Sequence, residues 1–157
     1  MTSGVRWVLL CYRLPREPST PRISVWRNLR RLGAVQLGDG LVGLPLDARN
    51  REQLEWLADE ILEAGGDSSL WLAEATSADQ ERALAERMAA AVAEEYRGVI
   101  AAAGQAHQED PGQRRRTLAR LRRELRRIRS RDYFSPVEAE EAQRAVQALA
   151  QELETTP

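Results

Sequence analysis

Lysine is absent from this chain of 157 residues, and all 23 of its basic side chains are arginine. There is one cysteine, Cys11, so no internal disulfide can form. Lying inside an apolar stretch, it reads as a packing residue rather than a nucleophile. The lone histidine, His107, sits in the polar stretch GQAHQEDPG with no cysteine or acidic cluster at ligand spacing. It reads as a surface residue, and no metal site is expected. No apolar run approaches the ~20 residues of a membrane span. The first apolar stretch, VRWVLLCY, lacks the length and cleavage site of a signal peptide. These absences place the chain in the cytoplasm, with no membrane partner. A glycine-rich phosphate loop is also missing, since Gly38-Asp39-Gly40 reads as a turn. Adjacent acids such as Glu94-Glu95 and Glu140-Glu141 point in different helical directions and make no catalytic pair. The expectation is therefore no enzyme, no catalytic residue and no cofactor.

What the chain has in plenty is segregated charge. The formal net charge is −1, yet residues 1–46 carry seven arginines against two acids and residues 47–96 four against thirteen. Residues 97–134 then carry eleven against four, and residues 135–157 one against five. Two basic and two acidic blocks can present a positive face despite a neutral total. With 43% hydrophobic and 30% charged residues, the composition is that of a globular chain.

Hydrophobic spacing divides the chain at residue 76. Residues 5–14 read as a buried strand ending at a proline. Ser19 or Thr20 can cap a helix with Pro21 at its first position. Along that helix Val25, Trp26, Leu29 and Leu32 share one face, Arg27, Arg30 and Arg31 lie opposite, and Gly33 ends it. Two short strands flank the Gly38–Gly40 turn. A second helix runs over residues 48–64 and stops at Gly65-Gly66, and SSLWLAEA is a fourth strand. This strand, helix, strand, strand, helix, strand order defines an α+β, ferredoxin-like βαββαβ unit over residues 1–76, with an antiparallel sheet. Residues 77–157 are expected to be three helices, including an arginine-rich helix over 113–131. Leu118, Leu121, Leu125 and Ile128, then Ala142, Val146, Leu149 and Leu153, form narrow coiled-coil-like seams that invite partners, so a homodimer is expected. Trp7, Trp26, Trp56 and Trp71 are expected mostly in the core, with Trp26 and Trp56 as candidates for an interface.

Two clusters can hold something negative. Between Arg114 and Arg131 ten of eighteen positions are arginine against one acid, Glu124. Either these arginines pair with Glu94, Glu95, Glu138, Glu140 and Glu141, or they contact phosphate, whose geometry suits the guanidinium fork. The candidate DNA contacts are Arg27, Arg30 and Arg31, with Arg115, Arg116, Arg122, Arg123, Arg126 and Arg127. No aromatics are interleaved in the second run, which weighs against single-strand stacking. The other cluster is LPREPSTPR, where Arg13, Arg16 and Arg22 surround Ser19 and Thr20 at a helix start that favours anions. Plain capping explains the same residues, so both readings stay open.

The run from Trp7 to Trp71, WVLLCYRLPREPSTPRISVWRNLRRLGAVQLGDGLVGLP followed by REQLEWLADEILEAGGDSSLW, resembles the N-terminal domain of the ChrB family of chromate-responsive transcriptional regulators. A weaker likeness, carried by Tyr12-Arg13-Leu14-Pro15, Arg30-Arg31-Leu32-Gly33 and Gly40, extends to PaaX-type repressors. The resemblance implies a DNA-binding regulator of a chromate-resistance system, with chromate or another oxyanion as effector. The alternative is a dimerisation or partner-binding module of such a system that does not touch DNA. Members of that family usually carry a further C-terminal chromate-resistance domain, which is expected to be lacking here. The element order is also similar to that of small CRISPR-associated endonucleases, which place a metal-binding acid at the end of the first strand. Cys11-Tyr12-Arg13 supplies none, which argues against a metal nuclease.

Overall fold

The computed structural model describes residues 4–155. Residues 1–3 and 156–157, the outer ends of the two expected segments, lie outside the described residues. The chain divides into two compact units, Met1–Ala85 and Glu86–Pro157.

In the first unit the elements follow the order read from the hydrophobic pattern: β1 (Arg6–Arg13), α1 (Thr20–Leu32), β2 (Val35–Gly38), β3 (Leu41–Pro45), α2 (Ala48–Glu63) and β4 (Asp67–Glu74). The strands lie in the order β2-β3-β1-β4, and every neighbouring pair is antiparallel. Side chains alternate across a strand, and here the parity is set by Val8 and Leu10. Both are buried, and they stand opposite Leu44 and Val42 of β3. Ser68, in register with Tyr12 on the same parity, donates to the carbonyl of Ala58 in α2 at 3.0 Å, which marks this as the helix-covered face. Leu29 and Leu32 from α1 and Leu54, Leu57 and Ile61 from α2 complete the core. Each such side chain contributes roughly 1.5–3 kcal/mol of transfer free energy.

Local signals stop and start the helices. Asp47 accepts a hydrogen bond from the Asn50 amide at 2.7 Å, capping α2, and buried Asn50 donates to the Pro45 carbonyl at 2.9 Å. Gly33 adopts the left-handed conformation that closes α1. Gly40 has φ +69°, and a side chain there would collide with the Tyr12 carbonyl, so the turn demands glycine. Asp39-Gly40 is the hairpin turn between β2 and β3.

Three expectations for this unit need correction. Cys11 follows Leu10 and so points to the opposite face near the strand's end, where it is exposed. Trp26 does not share the apolar stripe of α1. Val25, Leu29 and Leu32 fill that stripe, and Trp26 lies about 100° round the helix from Val25, exposed. Of the four tryptophans only Trp7 is core; Trp56 and Trp71 are 59% and 60% exposed.

Beyond Thr76 the structure is helical, as the spacing predicts: α3 (Ala78–Ala106), α4 (Pro111–Ser130) and α5 (Val137–Thr155). The seam Leu118, Leu121, Leu125 and Ile128 packs in one cluster with Val92, Tyr96 and Val99 of α3 and Ala142, Val146 and Leu149 of α5. The seams thus find partners within this unit. Fully buried Tyr96 donates its hydroxyl to Asp132 at 2.7 Å, while the other oxygen of Asp132 accepts from the amides of Phe134 and Ser135. Burial, then this hydrogen bond, pushes the Tyr96 phenol well above its usual range. Among the described residues, no helix is long and apolar enough to cross a membrane, and no group of histidine, cysteine or acidic side chains could hold a metal ion.

Candidate functional site

α4 begins under a clear cap. Asp110 accepts from the Gln113 amide at 2.9 Å, Pro111 occupies the first turn, and Thr117 bonds Glu109 at 2.8 Å. From this start the 3.6-residue repeat sends Leu118, Leu121, Leu125 and Ile128 inward and decides what each arginine can reach.

Arg114 sits on the inward side. Its guanidinium bonds the carbonyls of Ala106, His107 and Glu109 at 3.1, 3.0 and 2.8 Å and reaches Glu152 at 3.2 Å. It ties the end of α3 to the start of α4. His107, read from the sequence as a bare surface residue, contacts the same Glu152. At the other end Arg131 is held by Glu95, which keeps its guanidinium firmly charged, and Arg129 donates to Gln143 at 2.6 Å. Arg120 faces Glu124 at 3.8 Å, and Arg116 bonds the Gln113 amide oxygen, a neutral partner that leaves its charge uncompensated.

The rest are idle. Arg115, Arg122, Arg123, Arg126 and Arg127 are exposed, and among the described residues their guanidinium groups meet no hydrogen-bonding or ion-pair partner. Most of the acids expected to pair with this run are engaged elsewhere. Arg97 bridges Glu94 at 2.9 Å and Glu138 at 3.2 Å, and Glu140 faces Arg144 at 3.8 Å. Of those five acids, Glu95 alone serves the run among the described residues, through Arg131. Arg122 and Arg126 stand one turn, about 6 Å, apart on a line with Arg115, while Arg123 and Arg127 lie beside them. Five like charges on one helix face repel one another and attract polyanions.

The first unit holds a different arrangement. A groove of about 600 Å³ is lined by Tyr12 and Leu14, by Ser19, Arg22, Ile23 and Trp26 of α1 and its start, and by Gln36, Asp39 and Gly40 near the β2–β3 turn. Of the proposed anion cluster, Ser19 and Arg22 line it; Arg13, Arg16 and Thr20 are exposed outside that lining. Ser19 takes the N-cap position of α1, but its side chain makes no capping bond, and the first turn holds no acid. Burial pushes the Tyr12 phenol up, and the Arg22 guanidinium pulls it partly back. Arg30 lies over the Trp26 ring at 5.1 Å, Arg31 donates to Asn28 at 3.3 Å, and Arg27 is exposed. Sequence reasoning missed Tyr12, Gln36 and Asp39 as neighbours of Arg22, because the sheet register that gathers them joins distant stretches. The parity of β1 was the one signal that could have found Tyr12.

A family model described as "Protein ChrB, N-terminal" matches residues 22–110. The chain is 36% identical over 76 residues to the curated "Protein ChrB" of Cupriavidus metallidurans (strain CH34). That match covers 48% of this chain and 23% of the relative. No solved structure matches.

Proposed function

Because the chain belongs to the family of ChrB N-terminal domains, we propose that it is a DNA-binding transcriptional regulator of a chromate-resistance system, acting in the cytoplasm as a homodimer. The observation that carries the reading is the outer face of α4, with five exposed arginines whose guanidinium groups have no internal partner among the described residues. A guanidinium tied to a carboxylate must lose that partner before it can meet a phosphate; these need lose nothing but water and counterions. Arg116, held only by a neutral amide, adds a sixth charge. Side chains of one type, without aromatics between them, suit backbone contact more than base reading. Arg27, Arg30 and Arg31 supply further phosphate contacts from the first unit.

The test is a gel shift of the purified protein with the DNA upstream of its own gene, over a range of salt. Affinity should fall steeply as salt rises. Replacing Arg122, Arg123, Arg126 and Arg127 together by Ala should weaken binding to all sequences and make the log–log salt slope shallower by about 3.6, at about 0.9 per phosphate contact. Parent-like binding by a folded quadruple variant would sink this reading.

A second reading, a partner-binding module without DNA contact, draws on the exposed Trp56 and Trp71. It predicts no shift at low salt, and light scattering that depends on those two side chains.

A further inference from the structure

The groove in the first unit has no place in a phosphate-backbone contact, and its chemistry is more specific than charge. Its volume of about 600 Å³ is that of about twenty waters of liquid and lies within the roughly 300–1,000 Å³ of small-molecule sites. A tetrahedral oxyanion would leave most of it empty. Two aromatic side chains, Tyr12 and Trp26, line it beside Ile23, which offers flat apolar contact. Arg22 brings a guanidinium, and Ser19 an unused hydroxyl at a helix start without a side-chain cap.

Asp39 decides the ligand class. Asp39 also lines the groove, and its carboxylate has no partner among the described residues, nor does it pair with Arg22. A fully ionised oxyanion has no donor to offer Asp39 and is repelled by it. A ligand that satisfies both needs an anionic end for Arg22, hydrogen-bond donors for Asp39 and a flat ring for the aromatics.

We propose that this groove binds a nucleotide, its phosphate on Arg22 and Ser19, its base against Trp26 and Tyr12, and its hydroxyl or amino donors on Asp39. The nucleotide is either free or the terminal unit of a single strand. This site is separate from the arginines of α4 and stands whether or not they bind DNA.

Isothermal titration of the whole chain tests it, with adenosine 5′-monophosphate, adenosine, inorganic phosphate, chromate and a deoxyadenosine tetranucleotide as probes. The monophosphate should bind, with adenosine, phosphate and chromate each much weaker. Arg22→Ala should weaken it by about tenfold or more, through loss of a charge-assisted contact. Trp26→Ala should weaken it by about fivefold or more, through loss of stacking. Asp39→Asn should weaken nucleotide binding and, by removing the repulsion, ease that of chromate. All three side chains are exposed, so circular dichroism and melting should match the parent. The quadruple α4 variant should bind the monophosphate unchanged. In that variant, a tetranucleotide that binds tighter than the monophosphate assigns the source as a strand end; equal or weaker binding assigns the free nucleotide. The proposal is overturned if the monophosphate gives no heat at millimolar concentration, if phosphate or chromate binds as tightly, or if the folded Arg22 and Trp26 variants bind like the parent.

Discussion

The two units each carry an arginine-rich helix and use it differently. In α1 the arginines are spread over local neighbours: Arg30 on the Trp26 ring, Arg31 on Asn28, Arg22 at a groove. In α4 they divide sharply into anchors and idle charges. Arg114 and Arg131, at the two ends, are bound by carbonyls and carboxylates, while the guanidinium groups of Arg115, Arg122, Arg123, Arg126 and Arg127 have no partner among the described residues. One residue type in one helix thus serves two purposes, and the hydrophobic seam sorts them. Beside the seam, Arg114 is drawn over backbone carbonyls at a helix end; on the outer arc, five guanidinium groups find no partner among the described residues.

The heaviest blow to the contrast is struck at the seam. Leu121→Ala removes a fully buried side chain and should cost about 2–5 kcal/mol, measured by urea unfolding. The five outer arginines changed singly to Ala should each shift stability by less than about 0.5 kcal/mol, since Ala is the better helix former. A comparable loss from the outer set would erase the distinction between anchors and idle charges.

Arg114→Ala comes next. It leaves three carbonyls without this donor and takes the Arg114 cation from Glu152, and should cost about 1–3 kcal/mol. Its salt slope for DNA should stay at the parental value. A flattened slope with parental stability would move Arg114 into the binding face.

Tyr96→Phe tests the turn after α4 and should cost about 1 kcal/mol, the net worth of the bond to Asp132. The pH dependence has a definite sign. The Tyr96 phenol is raised by burial and by Asp132, so above about pH 10, where unfolded tyrosine ionises, the unfolded chain releases its proton first. Stability is therefore full below that pH and falls as pH rises further. In the Phe variant this alkaline loss should shrink to the share of Tyr12, which burial also raises. An unchanged alkaline limb would show that Tyr96 is not shielded.

The smallest effects compare helix starts. Asp47 caps α2 through the Asn50 amide, and Asp47→Ala should cost about 1 kcal/mol. Ser19 makes no such bond, so Ser19→Ala should stay within a few tenths of a kcal/mol. A full capping loss at Ser19, read by thermal melting, would assign that residue to folding.

By itself the sequence determined the elements and their order. The turn at Asp39-Gly40, the stop at Gly33 and the 3-4-3 spacing of Leu118 to Ile128 are local signals, written within a few residues and enforced by backbone sterics and helical period. The density of arginine was likewise plain, and with it the expectation of a negative partner. Only the tertiary structure decided which arginines were spent. That choice turned on Glu95 reaching Arg131, on Arg97 engaging Glu138, and on Arg114 folding over the end of α3. These are contacts between residues that local periodicity does not relate. The same holds for Trp26 and Trp71, whose size suggested core but whose phase on helix and strand turned them to solvent. It holds for the groove as well, where β-sheet register brought Tyr12 and Asp39 to the side of Arg22. Period and turn chemistry act along the chain; pairing of charge and shape acts across it, and only packing chooses the pairs.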